Sequence, residues 1–354
     1  MELNVSDTAS AAMFISVVMP VRNEERFIAA TIGELLDQDY PVDRYEILVC
    51  DGMSDDGTRD IVRGLAAADG RVVLVDNPGR RSSAGRNVGF RRARGDLVVV
   101  VDGHVHIGRR DFLAKLAMHA ETSGADCLGR PQPLLPVSTG GFSEAVALSR
   151  ASRLGHSPSS FIFSDAEGWA PAASMGAAYR RRVFDRIGFV DESFDACEDL
   201  EFNTRLDAAG LRCWTSPDLT VSYFARESAG ALFRQMHRYG FGRYKYLRRH
   251  PHTLSAAQLA PPALVLGLMS LPLLALVWQP LFLVGLATTL LYILVVAGGS
   301  VALARRTTWR HVGRYLVIFP AIHLGLGAGF LASVLRRGRM RRHGRTEDGT
   351  EVPS

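Results

Sequence analysis

From residue 250 to residue 304 the chain runs for 55 residues without a single Asp, Glu, Lys or Arg. A helix that crosses the hydrocarbon core of a bilayer needs about 20 apolar residues, so this stretch is long enough for two crossings. Pro262–Trp278 and Leu281–Ala304, separated by a Gln279-Pro280 break, read as two spans joined by a tight turn. A third apolar run, Tyr315–Leu335, follows a short arginine-bearing loop. The competing reading is a buried helical hairpin inside a large soluble domain, and the uncharged stretch is far longer than a core helix requires. The N-terminus carries Glu2 and Asp7 and no basic leader, so it does not read as a signal peptide.

Charge elsewhere divides the chain further. The net +5 is the sum of unlike parts. Residues 1–225 carry 24 basic against 32 acidic side chains, residues 226–249 carry 7 against 1, and residues 305–345 carry 10 arginines and no acid. Arg243, Lys245, Arg248 and Arg249 precede the first span, and Arg305, Arg306 and Arg310 follow the second. Basic flanks stay on the cytoplasmic side, so the sequence predicts a multi-pass protein of the inner (plasma) membrane with its acidic globule in the cytoplasm. A third full span would export the arginines of the tail from Arg336 to Arg345. Either the third segment is re-entrant or interfacial, the favoured reading, which Pro320, His323 and the glycines around them suit, or it spans and the tail departs from the rule. The basic residues flank apolar runs instead of lining the globule, which argues against nucleic acid as a partner despite a pI near 9.2. Cys50, Cys127, Cys197 and Cys213 lie far apart, without metal or redox spacing. The resulting division is an N-terminal tail (1–13), a globular domain (14–225), a basic amphipathic interfacial segment (226–257), a membrane segment (258–335) and a basic tail (336–354).

Within the globule, short β-branched runs alternate with helical spacing. Strands are expected at Ile15–Met19, ending at Pro20, and at Glu46–Cys50, Arg71–Val75 and Leu97–Val101. Helices are expected at Ile28–Leu36, Asp56–Ala68 and Ala84–Ala93. This pattern predicts an α/β fold with a mostly parallel sheet covered on both faces. Ligands bind such sheets at the carboxyl ends of the strands. There the chain places Arg22-Asn23-Glu24, Asp51 and Asp102. Beyond residue 124 the alternation weakens, and Arg130–Gly141 and Gly155–Ser160 read as loops. A strand near Ala173–Tyr179 and a helix from Glu198, closed by Gly210, complete the pattern.

Five pieces of sequence then fall in order: VVMPVRNEE (Val17–Glu25), VCDGMSDDGT (Val49–Thr58), SAGRNVGFRRARGD (Ser83–Asp96), VVDGH (Val100–His104) and CEDLEFNTRL (Cys197–Leu206). Together they resemble the family-2 glycosyltransferases, whose GT-A fold binds nucleotide sugars; the resemblance covers residues 14–250. Within that family, the basic segment and apolar tail look most like the succinoglycan-type membrane glucosyltransferases.

The resemblance implies roles residue by residue. Asp51 would accept a hydrogen bond from a uracil ring, with Glu24 and Pro20 shaping the nucleoside pocket and Arg22 beside them; a turn aspartate is the plainer reading of Asp51. Arg86 and Asn87, at a helix start, could meet a phosphate or a base edge. Asp102 would hold a divalent metal or the ribose. His104 stands where the family commonly has a second carboxylate, and its nitrogen suits Mn²⁺ better than Mg²⁺. His106 is a weaker candidate. Glu198 and Asp199 open a helix whose dipole favours acids, and Asp199 would be the base that deprotonates the acceptor hydroxyl in an inverting transfer. Gln235 and Arg238 resemble part of the Gln-x-x-Arg-Trp element of membrane sugar synthases, with Tyr239 for Trp, and would meet the diphosphate and acceptor.

The expected activity is transfer of a sugar, glucose first, from a UDP-sugar to a polyprenyl-linked glycan, in company with other polysaccharide-assembly enzymes. A polyprenyl-phosphate glycosyltransferase or a processive synthase is the alternative within the same chemistry. A catalytically silent scaffold that binds nucleotide sugar is the alternative of another class.

Overall fold

A computed structural model describes residues 12–156 and 162–347. The elements follow in order: β1 (Ile15–Val21), α1 (Ile28–Leu36), β2 (Tyr45–Asp51), α2 (Thr58–Ala68), β3 (Val72–Asp76), α3 (Ser82–Arg92), β4 (Leu97–Val100), β5 (Val105–His106), α4 (Phe112–Ser123), β6 (Cys127–Gly129), β7 (Leu134–Leu135) and α5 (Phe142–Arg150). Then come β8 (Gly168–Ala170), α6 (Ala172–Met175), β9 (Gly176–Arg180), α7 (Arg181–Ile187), α8 (Glu198–Ala208), β10 (Cys213–Thr215), β11 (Ser222–Phe224), α9 (Ala229–Arg249), α10 (Ala256–Val277), α11 (Gln279–Arg306) and α12 (Val312–Glu347). They form two compact units. The first comprises the chain up to Gln132 with Ser164–Glu192 and Phe202–Ser222; the second comprises Pro133–Phe163, Ser193–Glu201 and the chain from Tyr223 on.

The first unit is built on a sheet of order β3-β2-β1-β4-β9-β6-β10-β8. β3, β2, β1 and β4 run parallel, as the alternating pattern predicts, and every residue of β1 is buried. β9 is reversed against both β4 and β6. β6 and β10 therefore point the same way as β4, so six strands end on one edge of the sheet. Under it, Phe90, Tyr179, Phe184 and Phe202 pack edge-on or tilted. The Tyr179 hydroxyl donates to Asn203 Oδ1 at 3.0 Å, which satisfies its polar end inside the core.

Most boundaries fall within two residues of the sequence reading, and two of the differences have a clear physical reason. β1 continues through Pro20 to Val21, because its ladder with β4 stops at Val18 opposite Val100. Past that point β1 is an edge on the β4 side, where a proline's missing N–H removes no bond. The segment from Ala173 is not strand at its start. Asp207 accepts from the backbone N–H of Ala172 at 2.8 Å and of Ala173 at 3.0 Å, which winds Ala172–Met175 into a helical turn before β9 begins.

In the second unit, α10, α11 and the span Trp309–Arg336 are long and apolar enough to cross a membrane. α10 has 22 residues, about 33 Å at 1.5 Å per residue. Its apolar side chains face outward; Leu276 is 85% exposed. The Gln279-Pro280 break separates α10 from α11, as the sequence indicated. The third run is one continuous helix through Pro320. Its glycines serve packing. A methyl on Gly325 would fall 2.9 Å from the Phe233 carbonyl oxygen of α9, and methyls on Gly329 and Gly240 would overlap the carbonyls of His237 and Leu326. Small residues let the α9 and α12 backbones touch, so the apolar stripe of α9 (Leu232, Met236, Gly240) is covered by α12. Residues 1–11 and 348–354, and most of the loop Gly155–Ser160, lie outside the described residues.

Candidate active site

In the first unit the carboxyl ends of β1, β2 and β4 carry three loops. Those after β1 and β2 lock together. Asn23 Nδ2 donates to Asp55 Oδ1 at 2.7 Å, and Asp55 N donates back to Asn23 Oδ1 at 3.1 Å. The Gly57 N–H donates to Glu25 Oε2 at 2.8 Å, and the Glu24 N–H to Thr58 Oγ1 at 2.8 Å. Asp55 thus binds the neighbouring loop, while Asp56 accepts both from Glu25 N at 3.3 Å and from Thr58 N at the start of α2 at 3.0 Å. Gly52 is required by the chain itself, since a Cβ there would lie 2.7 Å from the Arg80 carbonyl oxygen.

Asp51 is 0% exposed. Its Oδ1 accepts from Ser54 Oγ at 2.5 Å, and its Oδ2 accepts from Ser54 N at 3.1 Å and from Arg59 Nη1 at 2.6 Å. Arg59 also reaches Asp76 at 2.7 Å, joining the ends of β2 and β3. The sequence reading overlooked Arg59. A signal existed: a cation in the first turn of a helix is unfavourable against the dipole, so a carboxylate partner was to be expected.

Beyond β4, His104 Nδ1 lies 2.8 Å from Glu24 Oε1. The loop is pinned from below by Thr31, whose hydroxyl donates to the Gly103 and Val105 carbonyls at 3.1 and 2.9 Å. His106 Nδ1 lies 2.6 Å from Glu34 Oε1 on α1. Pro20 is buried in β1, beside the Gly85 backbone, and Arg22 is exposed. Arg86 and Asn87 lie inside α3, both buried. Asn87 Nδ2 donates to Val190 O and Glu192 Oε1, each at 2.8 Å, and Val190 N donates to Asn87 Oδ1 at 3.0 Å. Both ends of the Asn87 amide thus hold the loop before α8.

Asp102 and His104 are chemically suited to a divalent cation. With Nδ1 bound to a carboxylate, the tautomer and ring orientation of His104 are fixed, as is usual for metal-ligating histidines, and ligation would be through Nε2. Among the described residues no cluster of three or more His, Cys, Asp or Glu side chains could hold a metal.

In the second unit, Glu198, Asp199 and Glu201 stand in the first turn of α8, after Cys197 with φ +64°. Their surroundings separate them. Glu198 is buried, at 7% exposure, and Asp199 is exposed. Glu201 is buried against the end of α9, 3.4 Å from His250 and 3.8 Å from Arg249. Asp199 and Arg238 both act electrostatically on Cys197 and on Tyr239. Burial pushes the Cys197 thiol up to about 12, and pushes the Tyr239 phenol up as well. Gln235 Nε2 donates to the Tyr239 hydroxyl at 3.3 Å, and the Cys197 thiol faces the Tyr239 carbonyl at 3.8 Å. The second unit thus gathers Asp199, Gln235, Arg238 and Tyr239.

Known proteins resemble the chain in sequence and in fold. Residues 16–188 match the family model described as glycosyl transferase family 2. The succinoglycan biosynthesis protein ExoA of Rhizobium meliloti (strain 1021) is 32% identical over 324 residues, covering 90% of this chain and 94% of that one. A dolichyl N-acetyl-α-D-glucosaminyl phosphate 3-β-D-2,3-diacetamido-2,3-dideoxy-β-D-glucuronosyltransferase of Methanococcus voltae is 27% identical over 246 residues, covering 67% of this chain and 74% of its own length. Among solved structures, the mannosyltransferase PcManGT from Pyrobaculum calidifontis, in complex with GDP-Man and Mn²⁺, superposes with a TM-score of 0.57 at 21% identity, covering 89% of this chain and 88% of that one. The chain belongs to glycosyl transferase family 2 and is a glycosyltransferase with the GT-A fold.

Proposed function

We propose that this glycosyltransferase moves a sugar, glucose in the reading we favour, from a UDP-sugar to a polyprenyl-linked glycan during polysaccharide synthesis, with inversion at the anomeric carbon. The observation that carries the reading is the combination, in one chain, of strand-end acids at a nucleotide-binding sheet edge with three helices apolar enough for a membrane. An enzyme whose acceptor is soluble has no need of such helices. The relationship to a succinoglycan biosynthesis protein supports the same class of product.

In this reading Asp51 and Glu24 face the nucleoside, with Pro20 and Arg22 beside it and Arg86 near the phosphates, while Asn87 keeps its adjoining loop in place. Asp102 and His104 would hold Mn²⁺ or Mg²⁺, which would supply positive charge to the diphosphate leaving group. Asp199, exposed at its helix N-terminus, takes the proton from the acceptor hydroxyl. Buried Glu198 supports it, and Gln235 and Arg238 orient the acceptor or the diphosphate. Residues 14–225 form the catalytic domain, on the cytoplasmic face of the plasma membrane. Residues 226–257 lie at the interface, 258–335 are in the membrane, and the basic tail follows.

Membranes containing the chain, supplied with Mn²⁺ and a panel of radiolabelled UDP- and GDP-sugars and then extracted for lipid, test the proposal. Label from a UDP-sugar in the lipid fraction is the expected result. Label only from GDP-sugars would overturn the donor assignment, and label from none would favour a silent scaffold.

A further inference from the structure

Arg130 directly follows β6 and is 3% exposed. Its Nε and Nη1 have no hydrogen-bond partner among the described residues. A guanidinium taken out of water without a carboxylate or carbonyls to meet it is costly to keep. Other arginines of the same unit meet that requirement. Arg59 binds Asp51 and Asp76, and Arg180 binds the backbone carbonyls of Ala125 and Ala120.

The place of Arg130 in the sheet suggests what it is kept for. β6 ends on the same edge as β2 and β4, whose ends lead into Asp51 and Asp102. In the order β1-β4-β9-β6 it stands two strands from β4, about 10 Å at about 4.8 Å per strand. Thr215 ends the neighbouring strand β10, opposite Gly129. It too is 3% exposed, and its hydroxyl is without a partner among the described residues. Two buried donors thus end adjacent strands on the ligand-binding edge of an open α/β sheet. The planar fork of an arginine is matched to the paired oxygens of a phosphate.

We infer that Arg130, with Thr215, is a phosphate-binding subsite of the transfer site. This rests on the reading that the chain transfers sugar from a nucleotide donor to a lipid-linked acceptor, either of which brings phosphate to that edge.

The test uses the full-length protein in detergent with Mn²⁺, as wild type and as Arg130→Met, Arg130→Lys and Thr215→Val. Thermal unfolding and affinities for pyrophosphate, UDP, uridine and a short-chain polyprenyl diphosphate are measured. Without ligand, Arg130→Met should melt no lower than wild type, because it removes an unpaired buried charge. If the subsite serves the donor, pyrophosphate and UDP weaken at least about tenfold in Arg130→Met, while uridine binds unchanged. If it serves the acceptor, UDP is unchanged and the polyprenyl diphosphate weakens by a similar factor. Arg130→Lys, which keeps charge but loses the fork, should fall between, and Thr215→Val should follow the same ligand more weakly. Affinities within twofold of wild type for all four ligands in Arg130→Met and Arg130→Lys would overturn the inference, as would a lower melting point with affinities intact. A wild type that binds neither UDP nor the polyprenyl diphosphate would instead remove the sugar-transfer reading beneath it.

Discussion

Arg59 ties together the ends of two strands, and removing it should be felt at both. In Arg59→Met the aliphatic stem remains and the guanidinium is lost. The Asp76 arm contributes little, because Asp76 is 64% exposed and ion pairs of that kind contribute about 0–1 kcal/mol. The Asp51 arm is different, since Asp51 is 0% exposed and Arg59 only 20%. Removing one partner of a buried pair costs about 3–5 kcal/mol. Ser54 still donates twice to Asp51, and Arg59 is partly in water, so we expect about 2–3 kcal/mol. For a domain of this size that is roughly 5–10 °C of melting temperature. The assay is thermal unfolding of the detergent-purified chain, run on Arg59→Met, Asp51→Asn and the double variant. The double variant should recover part of the loss, because a neutral amide in place of Asp51 no longer needs the cation. A fall of less than about 2 °C in Arg59→Met, or single-variant losses that simply add, would refute the reasoning.

Three further outcomes follow from the geometry. Glu24→Ala frees the ring of His104 to rotate, and should raise the Mn²⁺ needed for half-maximal transfer by about 10–100-fold; an unchanged metal titration would count against the His104 ligand. Gly240→Ala places a methyl against the Leu326 carbonyl and should destabilise the α9–α12 pair by about 1–3 kcal/mol, whereas Gly313→Ala, which meets nothing within 4 Å, should melt at or above wild type. Burial pushes the Cys50 and Cys197 thiols up to about 12. A raised thiol pKa keeps the unreactive protonated form below that pH, so native alkylation at pH 8 should run about a thousandfold slower than for a free thiol and quicken as pH rises. Labelling of either at the free-thiol rate would contradict the burial.

What the sequence made legible was whatever depends on neighbours along the chain. α1 appears over Ile28–Leu36 as its periodicity indicated, and the parallel strands lie within a residue or two of their apolar runs. The two uncharged helices break at Gln279-Pro280, as expected. What escaped depends on residues far apart in sequence. The turn at Ala172 is wound by Asp207, and β1 passes Pro20 because β4 has already ended. That Gly325 and Gly329 of α12 let α9 lie against them could not be read along the chain. Candidate site residues divided in the same manner. The strand-end acids were visible from motif and spacing, whereas the grip of Arg59 on Asp51, of Asn87 on Val190 and of Glu24 on His104 needed the folded chain.

The proposed transferase stands or falls on Asp199, the base assigned to the first turn of α8. Asp199→Asn keeps the size and a side-chain oxygen to accept from Leu200 N–H but cannot accept the acceptor's proton. The decisive measurement is single-turnover transfer from a radiolabelled UDP-sugar to lipid, made beside UDP-sugar affinity, in wild type and Asp199→Asn. Transfer should fall by about 10²–10⁴-fold with donor affinity within about twofold of wild type. Transfer retained near the wild-type rate, with donor binding intact, would contradict it.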